Sequence, residues 1–404
     1  MNIASWLPDL LIVIVSVLST LLALCLLGLS CLFLAECYFG QRQARKEESS
    51  YALQTSDDFL ILMPAHNEAA IIETTLNDLT PVLGDLSRVV VVADNCSDGT
   101  AEMARRLGAK VLERANDNLK GKGYALAYGL EYIFEQPQKI VIVLDADCSV
   151  DGNGLDRLAG VALEQNTPVQ ANYALDAPSK EGVGVRVALF AWRVKNFLRP
   201  MGLKYFGQPC QLMGTGMAFP KGLLRNVQIA SGNIVEDIQM GLDLGAVGHP
   251  PQFEPTVTVR SSLPGTDSAA ETQRTRWEHG HLSTILEGVP KALKQAVRKK
   301  NIRLMSVAMD LTIPPLTFFA ILLMVQIIYT AGLMLLGSQL PFILAMVTLS
   351  IFFVAIWICW AAVGRIYLRL TDVWEVARFV FGKLSIYIKF FQRKRPQTWV
   401  RTER

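Results

Sequence analysis

The sequence predicts an α/β domain with a mixed, mostly parallel sheet covered by helices on both faces. It is joined to three transmembrane helices and to amphipathic helices at a membrane surface. Three observations carry this. Only 19% of the 404 residues are charged while 51% are hydrophobic, against a usual charged fraction of about a quarter. Charge is missing altogether from Leu10 to Ala35, 26 residues, and from Leu311 to Gly364, 54 residues. Between Phe59 and Leu144, strand-length apolar runs alternate with helix-length amphipathic segments, the pattern of a parallel sheet with crossover helices.

As a helix the first charge-free run is about 39 Å long, against a hydrocarbon core of about 30 Å. The second is too long for one crossing and long enough for two, with Gly337, Ser338 and Pro341 supplying a turn. A cleaved signal peptide fits the first run poorly: its apolar part is too long, with no basic residue before it and no small-residue cleavage site after it. Basic residues flank these runs: Arg42, Arg45 and Lys46; Arg298, Lys299, Lys300 and Arg303; Arg365 and Arg369; then Arg393, Lys394 and Arg395. The positive-inside rule then places the chain in the inner (plasma) membrane, N-terminus outside, with the middle and the C-terminus in the cytoplasm. The expected order is an N-terminal transmembrane segment, residues 1–41 (crossing about 10–35), a polar linker, 42–58, and the α/β domain, 59–286. An interfacial helix, 287–310, a transmembrane hairpin, 311–364 (about 311–336 and 341–364), and a basic amphipathic tail, 365–404, complete it. The seven cysteines show no metal-ligand spacing, and a cytoplasmic setting argues against a disulfide framework.

Along the α/β domain, Phe59 to Met63 reads as a buried strand followed by a loop, Pro64 to Glu68, and a helix carrying Ile71, Ile72, Leu76 and Leu79. Val89 to Ala93 repeats the plan, Lys110 to Leu112 suggests a third strand, and a glycine loop and helix lead to Ile140 to Leu144. In such sheets ligands bind beyond the carboxyl ends of the strands. The unusual polar residues fall there: Asn67 and Glu68, Asp94, Lys122, Asp145 and Asp147. No G-x-G-x-x-G follows a strand and "GKG" lacks a Walker A frame, so a dinucleotide fold and a P-loop are both excluded. Asp145 and Asp147 end an apolar strand with no cation beside them in sequence. A Mg²⁺ or Mn²⁺ ion carrying a diphosphate would relieve their repulsion, since such ions take one or two carboxylates plus phosphate oxygens. The plain alternative is a turn or N-cap.

Taken in order, "PAHNE" (64–68), "VVADNCSDGT" (91–100), "KGYAL" (122–126), "DAD" (145–147), "GTG" (214–216), "VED" (235–237) and "QRTRW" (273–277) resemble the family-2 glycosyltransferases. These are inverting enzymes with a GT-A, Rossmann-like fold. The resemblance covers roughly Phe59 to Leu286, and the flanking helices are similar to those of the cellulose, chitin and hyaluronan synthases; Q-x-x-R-W also occurs in ceramide glucosyltransferases. It implies a nucleotide-sugar donor, expected to be a UDP-sugar, held by Pro64, Asn67, Glu68, Asp94, Lys122 and Asp145 together with Gln273, Arg276 and Trp277. Asp147 would be the metal ligand with Asp145 beside it. Asp237 would be the catalytic base that takes the acceptor's proton, supported by Glu236. Gly214, Thr215 and Gly216, with Trp277, would meet the acceptor, a lipid-linked or glycan molecule. Arg276 and Trp277 would answer the charge that develops on the leaving nucleotide.

Plainer roles stand beside these. Asp98 suits a helix N-cap, Glu236 and Asp237 suit a helix start, and Trp277 could anchor at headgroups. His279 and His281, two apart, point to different helix faces and make a poor metal pair. Val183 to Leu198 and 373–395 mix basic with apolar residues and are expected to lie on lipid. No nucleic-acid-binding motif accompanies the basic charge. The alternatives to single addition at the membrane are a processive synthase with export, an inactive scaffold in an export complex, and a nucleotidyltransferase on a similar sheet.

Overall fold

The computed structural model describes residues 7–47, 55–177, 182–225, 227–232, 235–264 and 267–392. Part of the expected linker and the Arg393–Lys394–Arg395 cluster lie outside them. The chain opens with α1 (Leu7–Glu47) and enters the domain through β1 (Phe59–Ala65), α2 (Ala69–Leu83), β2 (Val89–Asp94), α3 (Thr100–Arg106) and β3 (Lys110–Arg114). It continues with α4 (Lys122–Phe134), β4 (Ile140–Val143), β5 (Cys148–Val150), α5 (Gly154–Gln165) and β6 (Val169–Asp176). The second half runs through α6 (Val183–Arg193), a π-helical turn (Val194–Leu198), α7 (Arg199–Tyr205), β7 (Met217–Pro220), α8 (Lys221–Leu224), α9 (Glu236–Ala246) and β8 (Gln252–Ser262). Then come α10 (Asp267–Ser283), α11 (Val289–Lys299), α12 (Ile302–Leu311), α13 (Leu316–Leu335), α14 (Leu340–Cys359), α15 (Val373–Gly382) and α16 (Leu384–Phe391).

The eight strands form one sheet in the order β3-β2-β1-β4-β7-β6-β8-β5. β3, β2, β1 and β4 are parallel; β7 runs antiparallel to β4 and β6, β8 is parallel to β6, and β5 is antiparallel to β8. The period of two along β1 splits its side chains between two cores. Phe59, Ile61 and Met63 pack with Ile72, Leu76 and Leu79 of α2 and Leu155 and Leu158 of α5. Leu60 and Leu62 pack with Leu126, Leu130 and Ile133 of α4 and Met240 and Leu244 of α9. Each such buried side chain contributes roughly 1.5–3 kcal/mol, which is why an uninterrupted apolar run is stable only as a strand covered on both faces. The chain leaves β1 for β2 on one side and later returns to β4 on its other side, so a crevice opens at their carboxyl ends.

Among the described residues, three helices are long and apolar enough to cross a membrane, Leu10–Lys46, Leu316–Leu335 and Leu340–Gly364. The first of the hairpin pair starts at Leu316, after Pro314 and Pro315, because α12 takes the residues up to Leu311. α1 does not stop at Ala35 but continues to Glu47, so the segment expected as a linker begins as helix. Its polar end lies against α7. Gly40 and Gly202 permit this contact: a Cβ on Gly202 would stand 2.1 Å from the Glu36 carbonyl oxygen, and one on Gly40 2.0 Å from that of Leu198. Glu36, almost fully buried, accepts from Arg199 Nε (2.7 Å), whose Nη2 donates to Asp310 Oδ1 (2.5 Å). One guanidinium thus ties α1, α7 and α12 together.

Val183 to Leu198, expected on a lipid surface, turns its polar groups inward instead. Arg193 Nη1 donates to Asn172 Oδ1 (2.9 Å), Trp192 Nε1 donates to the Tyr173 carbonyl (2.9 Å), and Arg186 pairs with Asp372. Strand β6 supplies acceptors that a membrane surface would not.

Candidate active site

The D-A-D turn after β4 is braced from three sides. Asp145 N–H donates to Thr215 Oγ1 (3.0 Å), Thr75 Oγ1 donates to the Ala146 carbonyl (2.6 Å), and Ser261 Oγ donates to Asp147 Oδ2 (2.5 Å). Lys122, the first residue of α4, donates from Nζ to Asp145 Oδ1 (2.5 Å) and to the Gly214 carbonyl (2.9 Å). The cation that the sequence did not show beside Asp145 is therefore brought in from 23 residues away. Burial works against the Lys122 charge, but the carboxylates of Asp145, Glu236 and Asp237 outweigh it and hold the ammonium protonated well above its ordinary range.

Two cavities meet at this turn. The larger, about 330 Å³, lies over the strand ends and is lined by Pro64, His66, Glu68, Asp94, Asn95 and Lys120 among others. The smaller, about 170 Å³, lies toward α9 and is lined by Gly214, Glu236, Asp237, Tyr173, Trp192, Lys195 and Trp277. Lys122, Asp145, Asp147, Gln273 and Arg276 belong to both. The residues expected from separated motifs thus converge on one seam.

Asp94, buried at the end of β2, is held by Arg114 Nη1 (2.5 Å) and Asn95 Nδ2 (3.1 Å), both on Oδ1. Its Oδ2 makes no hydrogen bond among the described residues and is available as an acceptor. His66 Nδ1 donates to the Asp94 carbonyl (2.6 Å). Arg114 and His66 were missed from the sequence, Arg114 because its partner is 20 residues away and only the β2–β3 register brings them together.

Glu236 and Asp237 stand in the first turn of α9. Burial pushes both carboxyl groups up. Their mutual repulsion adds to this at Glu236, and Lys122 offsets part of it at each. The helix N-terminus favours their charge, and burial wins. Gly280 lets α10 sit directly on this turn, since a Cβ there would meet Val235 Cγ1 at 2.4 Å. That contact brings Gln273, Arg276 and Trp277 over the seam. Gln273 is buried, and its Oε1 has no hydrogen-bond partner among the described residues. Trp277 packs on Trp192 with ring centroids 4.6 Å apart.

Three expected contacts sit differently. The Asn67 side chain accepts from Ser97 N (2.7 Å) and Oγ, at φ 56°, and braces two loops. Thr215 is fully buried beneath the turn, donating to Cys148 Sγ (3.4 Å). Gly216 faces Val259 and Ala171 in the sheet. Gly214 does line the smaller cavity, at φ 91°.

No group of three or more potential metal ligands occurs among the described residues. Asp145 and Asp147 nevertheless fit a hard divalent ion: both are carboxylates on the seam of the two cavities, and a small hard cation accepts one or two carboxylates when phosphate oxygens and water complete its shell.

The mixed sheet, with two cavities meeting at the carboxyl ends of its strands, defines an α/β domain with a two-part site. Residues 57–280 match the family described as "Glycosyltransferase like family 2", and the chain belongs to that family. A Bacillus subtilis protein named "Probable glycosyltransferase YdaM" is 22% identical over 260 residues, covering 60% of this chain and 59% of its own. An uncharacterized protein of Methanocaldococcus jannaschii is 31% identical over 103 residues, 26% of this chain and 41% of its own. The matches therefore span about three-fifths or less of these relatives. Among solved structures, the mannosyltransferase PcManGT from Pyrobaculum calidifontis, in complex with GDP-Man and Mn²⁺, aligns with a TM-score of 0.51 at 15% identity. It covers 93% of this chain and 100% of that one, which supports a shared fold.

Proposed function

We propose that this protein is a membrane-bound inverting glycosyltransferase that moves a sugar from a nucleotide sugar to a lipid-linked or glycan acceptor. The observation that carries the reading is the shared seam: Lys122, Asp145, Asp147, Gln273 and Arg276 line both cavities, with Asp237 on the far side. A donor with its nucleotide toward Asp94 and its diphosphate at Asp145 and Asp147 would present the anomeric carbon there. The acceptor hydroxyl would attack that carbon from the Asp237 side. Its proton passes to Asp237 Oδ, and the bond from the anomeric carbon to phosphate oxygen breaks with its electron pair leaving on the nucleoside diphosphate. Lys122 and Arg276 are placed to answer the charge that grows on that leaving group. A Mg²⁺ or Mn²⁺ ion at Asp145 and Asp147 would neutralise the diphosphate. PcManGT holds GDP-Man and Mn²⁺, so GDP-sugars belong beside UDP-sugars as donors to test. The order of motifs supports a place near the cellulose, chitin, hyaluronan and ceramide glucosyltransferase group. The basic residues flanking the spans support an N-terminus outside the plasma membrane and a cytoplasmic catalytic domain.

Purified full-length protein incubated with a panel of UDP- and GDP-sugars, Mn²⁺ and membrane lipid tests the proposal. It predicts release of nucleoside diphosphate and a glycosylated product of inverted anomeric configuration. Release of pyrophosphate would point to nucleotidyl transfer, and activity unchanged in both Asp237→Asn and Asp147→Ala would remove the catalytic assignment. The product's mass separates one addition from a polymer.

A further inference from the structure

Behind the Trp192–Trp277 pair lies a third cavity, about 110 Å³, for which the transfer chemistry has no use. It shares Trp192, Lys195 and Trp277 with the acceptor-side cavity. Its other walls are mostly apolar: Val187, Ala188 and Ala191 of α6, and Pro314, Pro315 and Leu316 at the head of the candidate membrane span α13.

The charges in this wall do not balance. Arg199 is answered by Glu36 and Asp310, and Lys383 by Glu278. His281 Nε2 meets the Leu311 carbonyl at 3.1 Å, and burial keeps its ring neutral. Lys195 and Arg274 make no hydrogen bond or ion pair among the described residues; the Asp237 and Asp310 carboxylates act on Lys195 without touching it, and Arg274 Nη1 is buried without a partner. Two cations with no anion in contact, in a largely apolar pocket, are costly unless an anion joins them. Inorganic phosphate would leave the apolar walls unused, and a neutral lipid would leave the cations unpaired.

We propose that the acceptor is an anionic amphiphile. Its phosphate is held by Lys195 and Arg274, its first methylene groups lie against Val187, Ala191 and Leu316, and its hydroxyl-bearing end passes Trp277 to reach Asp237. The remaining hydrocarbon continues into the bilayer beside α13. The word acceptor rests on the glycosyltransferase reading; the binding of an anionic amphiphile does not.

The test is equilibrium binding of radiolabelled dodecyl phosphate to full-length protein in phosphatidylcholine nanodiscs, with Mn²⁺·UDP and Mn²⁺·GDP binding measured on the same samples. Dodecyl phosphate should bind saturably, with inorganic phosphate and dodecanol competing at least about a hundredfold less well. The double variant Lys195→Met, Arg274→Met should weaken binding at least tenfold. Ala191→Trp, which fills the apolar wall and replaces neither cation, should do the same. Retained nucleotide binding shows that the variants are folded. Equal affinity for wild type and both variants overturns the proposal, as does equal competition by inorganic phosphate or by dodecanol. Dodecyl phosphate binding as expected, with no nucleotide bound by the wild type, leaves this site standing and removes the transferase reading instead.

Discussion

Two clusters in this molecule pair one cation with carboxylates from distant parts of the chain, and they behave oppositely. Around Arg199, Glu36 and Asp310 are sealed, with side chains 4%, 4% and 2% exposed. Around Lys122, Asp145 remains 30% exposed, and Asp147, Glu236 and Asp237 share the cavities that Lys122 lines. The sealed cluster joins α1, a candidate membrane span, to α7 and α12, and its charges answer one another. The open one holds more negative charge than its lysine can match, and it faces two cavities. A buried ion cluster whose charges answer one another serves structure; one with charge left over and space beside it suits a ligand.

Substitutions in the two clusters should therefore separate activity from stability. The largest effect is expected from Asp237→Asn, which removes the proposed base and should lower kcat by roughly 10²–10⁴, with the melting temperature unchanged. In the sealed cluster, Arg199→Met strands two buried carboxylates and should cost about 3–5 kcal/mol, read as a loss of thermal stability in detergent. Replacing all three residues, Glu36→Leu, Arg199→Met and Asp310→Leu, should recover most of that loss, because no uncompensated charge remains. If the single and triple variants melt alike, the triad is not what holds α1 to α7.

The pH profile sharpens the same contrast. Burial raises the carboxyl group of Asp237, and Lys122 partly offsets this. A base with a raised value is protonated sooner as pH falls, so kcat/KM should decline on an acid limb above the ordinary aspartate value of about 3.9. Lys122→Met removes the offset and should move that limb to still higher pH; a limb that stays in place would show that another group sets it. The smallest effect is expected from Gly214→Ala. A side chain at φ 91° is strained, and its Cβ would stand 3.4 Å from Asp237 Oδ2, so a loss of about 1–2 kcal/mol is expected, measured by thermal unfolding.

Much of this was legible from residues alone, for local reasons. "FLILM" and "IVIVL" admit one stable outcome, a strand covered on both faces, and β1 and β4 are fully covered apart from Pro64 at the end of β1. Polar residues directly after such strands must lie at their carboxyl ends, so Asp94, Lys122, Asp145 and Asp147 are expected together, and they line one cavity. The charge-free runs likewise had to be helices of crossing length.

What the sequence did not show depends on partners far along the chain. β7 is four residues that include alanine and proline, which carry little strand preference, yet it reverses direction and links the two halves of the sheet. Arg114 means nothing until β3 pairs with β2 and brings it to Asp94. Asn67 and Thr215 carry the right chemistry for ligand contact, but nearer partners, Ser97 and the Asp145 N–H, take them first. Lys195 and Arg193 had the look of a lipid-facing helix, and strand β6 and the cavity beside Asp237 turned them inward. Local hydrophobic period determined which segments are strands, helices and spans, because burial acts on each segment through its own apolar face. Only the tertiary structure decided which charges are answered and which are left for a ligand, because a counter-ion exerts its force through distance in space, whatever its separation along the chain.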